Sequence, residues 1–434
     1  MKYFWALILN LLYVFCYENP LPGIIVFVLT AILLCLIYSD AVKHNSVLGV
    51  MIELLSFTFP FAWRSIFGTS FADFGVCWFY VIGLVYVFIS LKDGGFIKTI
   101  KFNSGELTLI FCLFLIVGGL IPLLNSYDFT EGLKKFIVYI FFYALIVMSL
   151  PYNGSIGQKE RYIALRSFTY ASLYSSVMII IQCVLFNLFD IKFLDMCPAG
   201  NARHIYSYMY LDISAQTLMF ITGAMICLVY GKKIFKYPFI TMCVILLGTI
   251  LTSARTGIVT FAIISGLYLL IGEKSGNKPM KLFIYAICTY IGYFIVIFNR
   301  AVYSFINLFT EDNGRVFLIK EALRLFLKRP FLGIGFDLKA FIAMTKAETI
   351  CHFYFLNVLL STGLIYTLIF IVLIILFLKS SLKIDGFIWI ILPGLLGSCF
   401  VPDLMGAKFF IILVCIVILS KETTEMAEMT GSIN

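Results

Sequence analysis

Long apolar runs recur along almost the whole chain, and they constrain the fold more than any other feature. Each run of roughly 17 to 25 residues is long enough to cross about 30 Å of hydrocarbon as a helix. Charged residues make up 13% of the 434 residues, against about 25% in soluble domains. The alternating pattern that an outer-membrane barrel needs does not repeat. The sequence therefore predicts an all-α polytopic integral membrane protein.

About fourteen spans, in a range of about 12–14, can be placed by length and apolar content. They cover residues 3–17, 20–38, 46–63, 71–91, 107–124, 133–150, 168–189, 209–230, 237–252, 256–271, 281–298, 352–378, 386–401 and 405–420. No small-residue cleavage site follows the first run, so we predict an uncleaved helix there. We predict a single transmembrane domain over 1–434, with a large loop at 299–351 and a short tail at 421–434.

The basic residues predict the orientation of these spans. Lys or Arg occurs in every second connection, from Lys43 to Lys383, as expected of cytoplasmic loops. The long 299–351 loop is also basic, but long loops are translocated largely regardless of their charge. We therefore predict that both termini are cytoplasmic and that the long loop faces outward, which in a Gram-negative bacterium is the periplasmic side of the inner membrane. The net charge of +9 follows from this topology, and no basic face on a soluble fold indicates a nucleic-acid partner.

Polar side chains gather at the predicted outer face. They are Arg203, His204, Tyr206, Tyr208, Tyr210, Asp212, Arg255, Arg315 and His352. Arginine or histidine at a span end often binds lipid headgroups, and interfacial tyrosines commonly form an aromatic belt. Asp212 is close in sequence to Arg203 and His204, so a salt bridge would explain it. Arg255 lies in a tight turn without an acidic neighbour, so its guanidinium needs an anion from lipid or substrate.

The segment 311–335, EDNGRVFLIKEALRLFLKRPFLGIG, predicts an amphipathic helix within the long loop. Asp312 or Asn313 can cap its start, and Pro330 with Gly333 ends it. One apolar stripe is predicted at Val316, Ile319, Leu323, Phe326 and Leu327, and a cationic stripe at Lys320, Arg324 and Lys328. Arg315 lies in the first turn, where backbone N–H groups favour an anion. A helix lying on anionic lipid would show the same pattern.

Three motifs in order resemble the core of the bacterial O-antigen polymerase/ligase superfamily. They are TSARTGIV, then GRVFLIKEALRLFLKRPFLGIGF, then HFYFLNVLLSTGLIYTLIF, within roughly residues 250 to 378. The family pattern has an Arg in a short outer turn, a Gly-Arg helix ending in a Pro-x-x-Gly-x-Gly turn, and a His opening the next span. Gly363 matches a family glycine about eleven residues after that His. Ala254 and Phe353 depart from the residues that often stand at their positions, and Phe353 removes a polar neighbour of the His.

The resemblance implies a glycosyltransferase with a GT-C-like fold, which uses a glycan on undecaprenyl pyrophosphate without a metal or other cofactor. By position, Arg255 and Arg315 would hold the pyrophosphate, joined by Arg203 and His204. His352 would be the catalytic base, since an imidazole with an unperturbed pKa of about 6.5 can take a hydroxyl proton near neutral pH. Asp212 is the alternative base. Tyr206, Tyr208, Tyr210 and Arg324 would contact the glycan.

Three functions remain open at this stage. A polymerase would join carrier-linked repeat units of surface polysaccharide, and a ligase would transfer the glycan to lipid A–core in lipopolysaccharide biosynthesis. A lipid-linked oligosaccharide flippase would have a cationic interior and matching halves, and this chain shows neither. We favour the polymerase. Its expected partners are the carrier-linked oligosaccharide, the lipid bilayer, a chain-length regulator and a flippase.

Overall fold

The structure is a computed structural model that describes most of the chain. The described ranges are 47–58, 78–92, 106–191, 197–272, 315–403 and 408–421, with gaps at 200–202, 207, 209–212, 253, 338 and 348. Scattered helical positions between 25 and 39, and Tyr290, are also described. The chain divides into two compact units. Unit 1 comprises Met1–Ile89 and Lys159–Ala254, and unit 2 comprises Ser90–Gln158 and Arg255–Asn434.

Helices dominate the described residues. They are α1 Val47–Thr58, α2 Trp78–Lys92, α3 Glu106–Gly118, α4 Leu120–Leu124, α5 Phe129–Ser149, α6 Gln158–Phe189, α7 Ile213–Tyr230, α8 Pro238–Leu251, α9 Arg255–Leu267, α10 Arg315–Lys328, α11 Lys339–Thr345, α12 Tyr354–Thr362, α13 Leu364–Leu382, α14 Ile388–Gly397 and α15 Phe409–Leu419. Short 3-10 turns cover Leu150–Tyr152 and Gly231–Lys233, and α9 continues as a π-helix over Tyr268–Gly272. Two short antiparallel strands, β1 Cys197–Ala199 and β2 Arg203–Ile205, pair Pro198 with His204.

Membrane-length helices confirm the predicted class. Within the described residues, 5 helical stretches are long and apolar enough to cross a bilayer: Leu107–Leu124, Phe129–Tyr152, Gln158–Phe189, Ile213–Lys233 and Leu364–Leu382. Shorter apolar helices occupy most of the other predicted spans. The predicted spans 3–17 and 281–298 lie outside the described residues except for Tyr290, and 20–38 is described only at scattered positions. The protein is an all-α polytopic membrane protein.

In unit 1, small residues let helices approach closely. A Cβ added at Gly223 would lie 2.7 Å from the Ser172 hydroxyl, and one at Gly248 would lie 2.5 Å from the Ser176 Cβ. Ser172 also donates a hydrogen bond from its hydroxyl to the Met219 carbonyl at 3.3 Å. Small residues and hydroxyls at helix contacts are typical of packing within a bilayer, where burial of apolar side chains gives no preference for protein over lipid.

In unit 2, α5 and α13 form the centre of the packing. Helix α5 contacts α3 and α15, and α13 contacts α3, α12, α14 and α15. The Tyr143 hydroxyl on α5 lies 3.1 Å from the Tyr366 hydroxyl on α13, and both side chains are buried. A buried hydroxyl without a partner costs free energy, so this pairing lets two tyrosines lie inside an apolar helix bundle.

The predicted span 352–378 needs correction. The structure has two helices there, α12 and α13, which are separated at Gly363 with φ of +81°. A side chain at Gly363 would overlap the Phe331 carbonyl oxygen, since the added Cβ would lie 2.2 Å from it. Only α13, Leu364–Leu382, has the length and apolar content of a span. Periodicity did not reveal the break because both helices are apolar.

Helices α10, α11 and α12 form a three-helix cluster around their own apolar core. Its buried members include Leu318, Ala322, Leu325, Phe341 and Leu360. The predicted end of α10 agrees with the structure, while its predicted start, with the proposed capping residues Asp312 and Asn313, lies outside the described residues.

The predicted apolar stripe on α10 is wrong in part. The buried residues are Leu318, Ala322 and Leu325, none of which belongs to that stripe. Of the predicted members, Ile319 and Phe326 are half-buried, whereas Val316, Leu323 and Leu327 are exposed. The helix has apolar residues on two faces, and the periodicity of either face fits a helix.

Candidate active site

The residues predicted for the site fall in both units. Arg203 and His204 lie in β2 of unit 1, while Arg255, Arg315, Arg324 and His352 belong to unit 2. Arg255 is the first residue of α9 and Arg315 the first residue of α10. The structure describes the backbone of Arg203, His204 and Arg255 but not their side chains. Tyr210 and Asp212 lie outside the described residues altogether. The assigned roles of these residues stay predictions.

His352 has one ring nitrogen in a defined hydrogen bond. Its Nδ1 lies 3.0 Å from the Ile350 carbonyl oxygen, and the residue is half-buried just before α12. A carbonyl oxygen only accepts, so Nδ1 is the donor. In a neutral imidazole the proton on Nδ1 leaves Nε2 as an acceptor. The ring is therefore in the tautomer that a general base needs at Nε2.

Asn357 holds the backbone next to His352. Its Nδ2 donates to the Cys351 carbonyl at 2.6 Å and to the Pro402 carbonyl at 2.9 Å. Asn357 is 3% exposed, and its Oδ1 has no hydrogen-bond partner among the described residues. The bonds to the carbonyls of Cys351 and Pro402 join the loop that carries His352 to the loop before α15. Asn357 is thus a candidate positioning residue that sequence reasoning did not identify.

The start of α10 presents Arg315 to solvent. Arg315 is exposed, as are Lys320, Arg324 and Lys328 of the cationic stripe. Arg324 donates from Nε to Glu321 Oε2 at 2.9 Å on the same helix, so part of its charge is neutralised locally. Exposed ion pairs of this kind contribute little to stability. In the described part of the chain α10 begins at Arg315, and the N-terminus of a helix favours an anion.

The Gly-x-Gly turn after α10 packs backbone against backbone. Gly333 has φ of +65° and Gly335 has φ of +101°. A Cβ at Gly333 would lie 2.3 Å from the Ser361 carbonyl oxygen, and one at Gly335 would lie 2.5 Å from the Ser126 Cα. The turn also donates backbone N–H groups to the end of α12, from Gly335 to Ser361 at 3.0 Å and from Ile334 to Leu360 at 2.9 Å. Glycine is required here by both conformation and space.

Asp337, directly after this turn, connects it to the start of α5. Asp337 is 4% exposed, and its Oδ2 accepts from the Asp128 backbone N–H at 3.0 Å. Its Oδ1 accepts from the Lys339 backbone N–H at 2.9 Å. The turn, α11 and the beginning of α5 are therefore linked through one buried carboxylate.

A charged cluster lies beside that carboxylate. Lys339 Nζ is 3.5 Å from Asp128 Oδ2 and 3.7 Å from Glu131 Oε1. The backbone N–H of Glu131 lowers the pKa of Asp128, and Lys339 adds to this effect against partial desolvation. Desolvation lowers the pKa of Lys339, but the charges of Glu131 and Asp128 together outweigh it, so the Lys339 pKa is raised.

A second group of polar side chains involves Asp403. Lys135 Nζ lies 3.8 Å from Asp403 Oδ2. Asp403 is also near enough to interact electrostatically with Tyr139 and Tyr354, whose hydroxyls are 3.5 Å apart. Asp403 follows Pro402, the residue whose carbonyl Asn357 holds. Sequence reasoning missed this group because its members are far apart along the chain and match no spacing rule.

Tyr206 and Tyr208 lie inside unit 1. They are 6% and 0% exposed. The Tyr206 hydroxyl accepts from Asn187 Nδ2 at 2.9 Å, and the Tyr208 hydroxyl lies 3.2 Å from that of Tyr174. Both side chains are buried, and the predicted glycan contact of these tyrosines stays a prediction.

Comparison with known proteins gives one family. Residues 240–371 match the family model described as O-antigen ligase (Wzy_C), a range that includes Arg255, Arg315 and His352. No curated protein matches the chain. The match indicates a glycosyl-transferring enzyme in broad terms, and it gives no support to a flippase. Residues 240–371 are thus similar to the O-antigen ligase family, in agreement with the resemblance of this part of the chain to the O-antigen polymerase/ligase superfamily.

Proposed function

We propose that the protein is an O-antigen polymerase that joins oligosaccharide repeat units carried on undecaprenyl pyrophosphate at the periplasmic face of the inner membrane. The family match over residues 240–371 carries the proposal. The preference for a polymerase rests on the predicted number of spans and on a composition with 45 Phe and 25 Tyr. The ligase is the second candidate, because the matching family model is described by that activity.

In the proposed reaction, a hydroxyl of the incoming carrier-linked unit attacks the anomeric carbon of the growing chain. A new C–O bond forms as the bond from the anomeric carbon to the pyrophosphate oxygen breaks, and the electron pair leaves with the pyrophosphate. The hydroxyl proton passes to Nε2 of His352, which the Nδ1 bond to Ile350 leaves as an acceptor. Arg255 and Arg315 stabilise the negative charge that develops on the pyrophosphate.

A deletion strain tests the function, with lipopolysaccharide resolved on a gel. Loss of a polymerase leaves core with a single repeat unit, whereas loss of a ligase leaves bare core and free polymer on the carrier. A normal ladder in the deletion strain would contradict both candidates.

Complementation of that strain tests the site. His352→Asn keeps a donor near the Ile350 carbonyl but removes the base, so we expect it to abolish chain extension at normal expression. Arg315→Ala should do the same, and Arg315→Lys should restore little, because lysine lacks the planar fork that matches phosphate oxygens. Lys328→Ala, at an exposed position of the same helix, is the matched control and should retain the ladder. Wild-type ladders from both His352→Asn and Arg315→Ala would overturn the assignment of the site.

A further inference from the structure

A cavity of about 370 Å³ lies within unit 2, between α5, α13 and α15. Its size is within the usual range of ligand sites, about 300–1,000 Å³. None of the predicted site residues lines it. The proposed glycosyl transfer therefore does not account for this space.

The cavity wall is apolar along most of its length. Phe370, Leu373 and Phe377 of α13 line one side, and Phe410 and Val414 of α15 line another. These side chains are buried in the structure. Such a wall suits a hydrocarbon chain.

Polar residues line the cavity at one end. They are Thr108, Asn153, Ser380, Lys383 and Ser420. The lining residues on α13 and its C-cap run from Phe370 to Lys383, a length of about 20 Å at about 1.5 Å per residue. One leaflet with its headgroup region makes up about half of the roughly 40–45 Å total bilayer thickness. The cavity thus has the length of one leaflet, with its polar end at the membrane surface.

The polar end is basic. Lys379 and Lys383 lie at the end of α13, and Lys421 follows α15, with Asp385 as an acidic residue nearby in sequence. These lysines also offset the negative end of the α13 dipole and fit the positive-inside rule. The helix dipole and the positive-inside rule account for the presence of the lysines. They do not explain why the charges adjoin an apolar cavity one leaflet deep. The predicted topology places this end at the cytoplasmic leaflet, where anionic lipids are enriched.

We propose that this cavity binds an anionic phospholipid of the cytoplasmic leaflet, with one acyl chain between α13 and α15 and its phosphate at Lys383 and Asn153. The site is separate from the proposed transfer reaction and does not depend on it. Its ligand is a membrane lipid that the protein retains.

Thermal unfolding of the purified, delipidated full chain in detergent tests the proposal. Phosphatidylglycerol should raise the unfolding midpoint at concentrations at least fivefold lower than phosphatidylcholine. Lys383→Glu should remove this difference between the two lipids. Lys233→Glu is the matched control, because Lys233 is an exposed lysine of unit 1 on the same predicted side, and it should behave as the wild type. Leu373→Trp should fill the cavity and weaken the response to both lipids.

Lys383→Glu and Leu373→Trp test the charge and the apolar wall of the cavity separately. If Leu373→Trp does not fold, the exposed position 383 still separates charge-specific binding from a general detergent effect. An equal response to both lipids in the wild type would overturn the proposal. A response to undecaprenyl phosphate that exceeds the response to phosphatidylglycerol would assign the cavity to the carrier lipid and overturn it as well.

Discussion

Asn357 acts on two loops at once, although it lies on a helix that looks apolar in sequence. Its Nδ2 donates to the carbonyls of Cys351 and Pro402, which belong to two loops far apart in the sequence. Neither carbonyl would have this donor if residue 357 were apolar. An asparagine within an apolar run is therefore informative here, because it is costly to bury unless its side chain has a structural task.

Asn357→Ala should reduce chain extension more than it reduces folding. Two hydrogen bonds of about 1 kcal/mol each would be lost, and the loop that carries His352 would no longer be fixed. Chain length on a lipopolysaccharide gel and the unfolding midpoint of the purified variant measure the two effects. Ser361→Ala is the matched control, since Ser361 is buried on the same helix and donates only to Val358 within it. Equal chain length in both variants would contradict a positioning role.

At the scale of elements, the Gly-x-Gly turn connects parts of unit 2 that are distant in sequence. It contacts the end of α12 through Gly333 and the end of α4 through Gly335, next to Ser126. The turn therefore brings α10, the end of α12 and the end of α4 together through backbone contacts. Side-chain substitutions elsewhere in the turn leave these contacts intact, whereas a Cβ at either glycine cannot be accommodated without moving backbone.

Gly335→Ala should be far more harmful than Gly231→Ala. Both glycines have positive φ, at +101° and +46°, and a left-handed alanine costs about 1–2 kcal/mol. Nothing lies within 4 Å of a Cβ at Gly231, whereas one at Gly335 would overlap the Ser126 backbone. We expect Gly335→Ala to lower folded yield and abolish chain extension, with Gly231→Ala near wild type. Comparable yields of the two variants would show that the turn can relax.

At the scale of the whole molecule, the charged cluster predicts how stability depends on pH. The pKa of Asp128 is lowered in the folded state. Its contribution to the free energy of unfolding is therefore present above the unfolded-state pKa and is lost as the pH falls through the folded-state pKa. The pKa of Lys339 is raised in the folded state. Its contribution to the free energy of unfolding is therefore present below the unfolded-state pKa and is lost as the pH rises through the folded-state pKa. Both contributions are therefore constant near neutral pH.

Lys339→Met should lower the unfolding midpoint by the same amount from about pH 5 to about pH 9. That difference from the wild type should shrink below about pH 4 and above about pH 10, where the wild type loses the same interactions. Thermal unfolding in detergent across this range measures it. Lys320→Met, at an exposed lysine of α10, should show no such window. If the difference in unfolding midpoint between Lys339→Met and the wild type keeps growing towards low or high pH, the proposed ion pairs of Lys339 would be contradicted.

Much of this architecture could be predicted from the sequence, because a bilayer requires long apolar helices and the family motifs lie close together. The turn before Arg255 and the helix between Arg315 and Lys328 follow from residues that favour turns and helix ends. The break at Gly363 could not be predicted, since only tertiary contact with Phe331 requires it. The cluster of Asp128, Asp337 and Lys339 was likewise hidden, because Asp128 and Asp337 are 209 residues apart.

The end of α15 pairs with the segment after α5. Ile156 forms a parallel bridge with Ser420, the Ile156 N–H bonds the Leu419 carbonyl at 2.9 Å, and the Lys421 N–H bonds the Ile156 carbonyl at 3.0 Å. Two segments whose backbones are directly hydrogen-bonded at helix ends lie on the same side of a bilayer. The chain must therefore cross the membrane an even number of times between residues 156 and 420. The predicted spans in that interval run from 168–189 to 405–420 and satisfy this parity, so any revision of the topology has to add or remove crossings there in pairs.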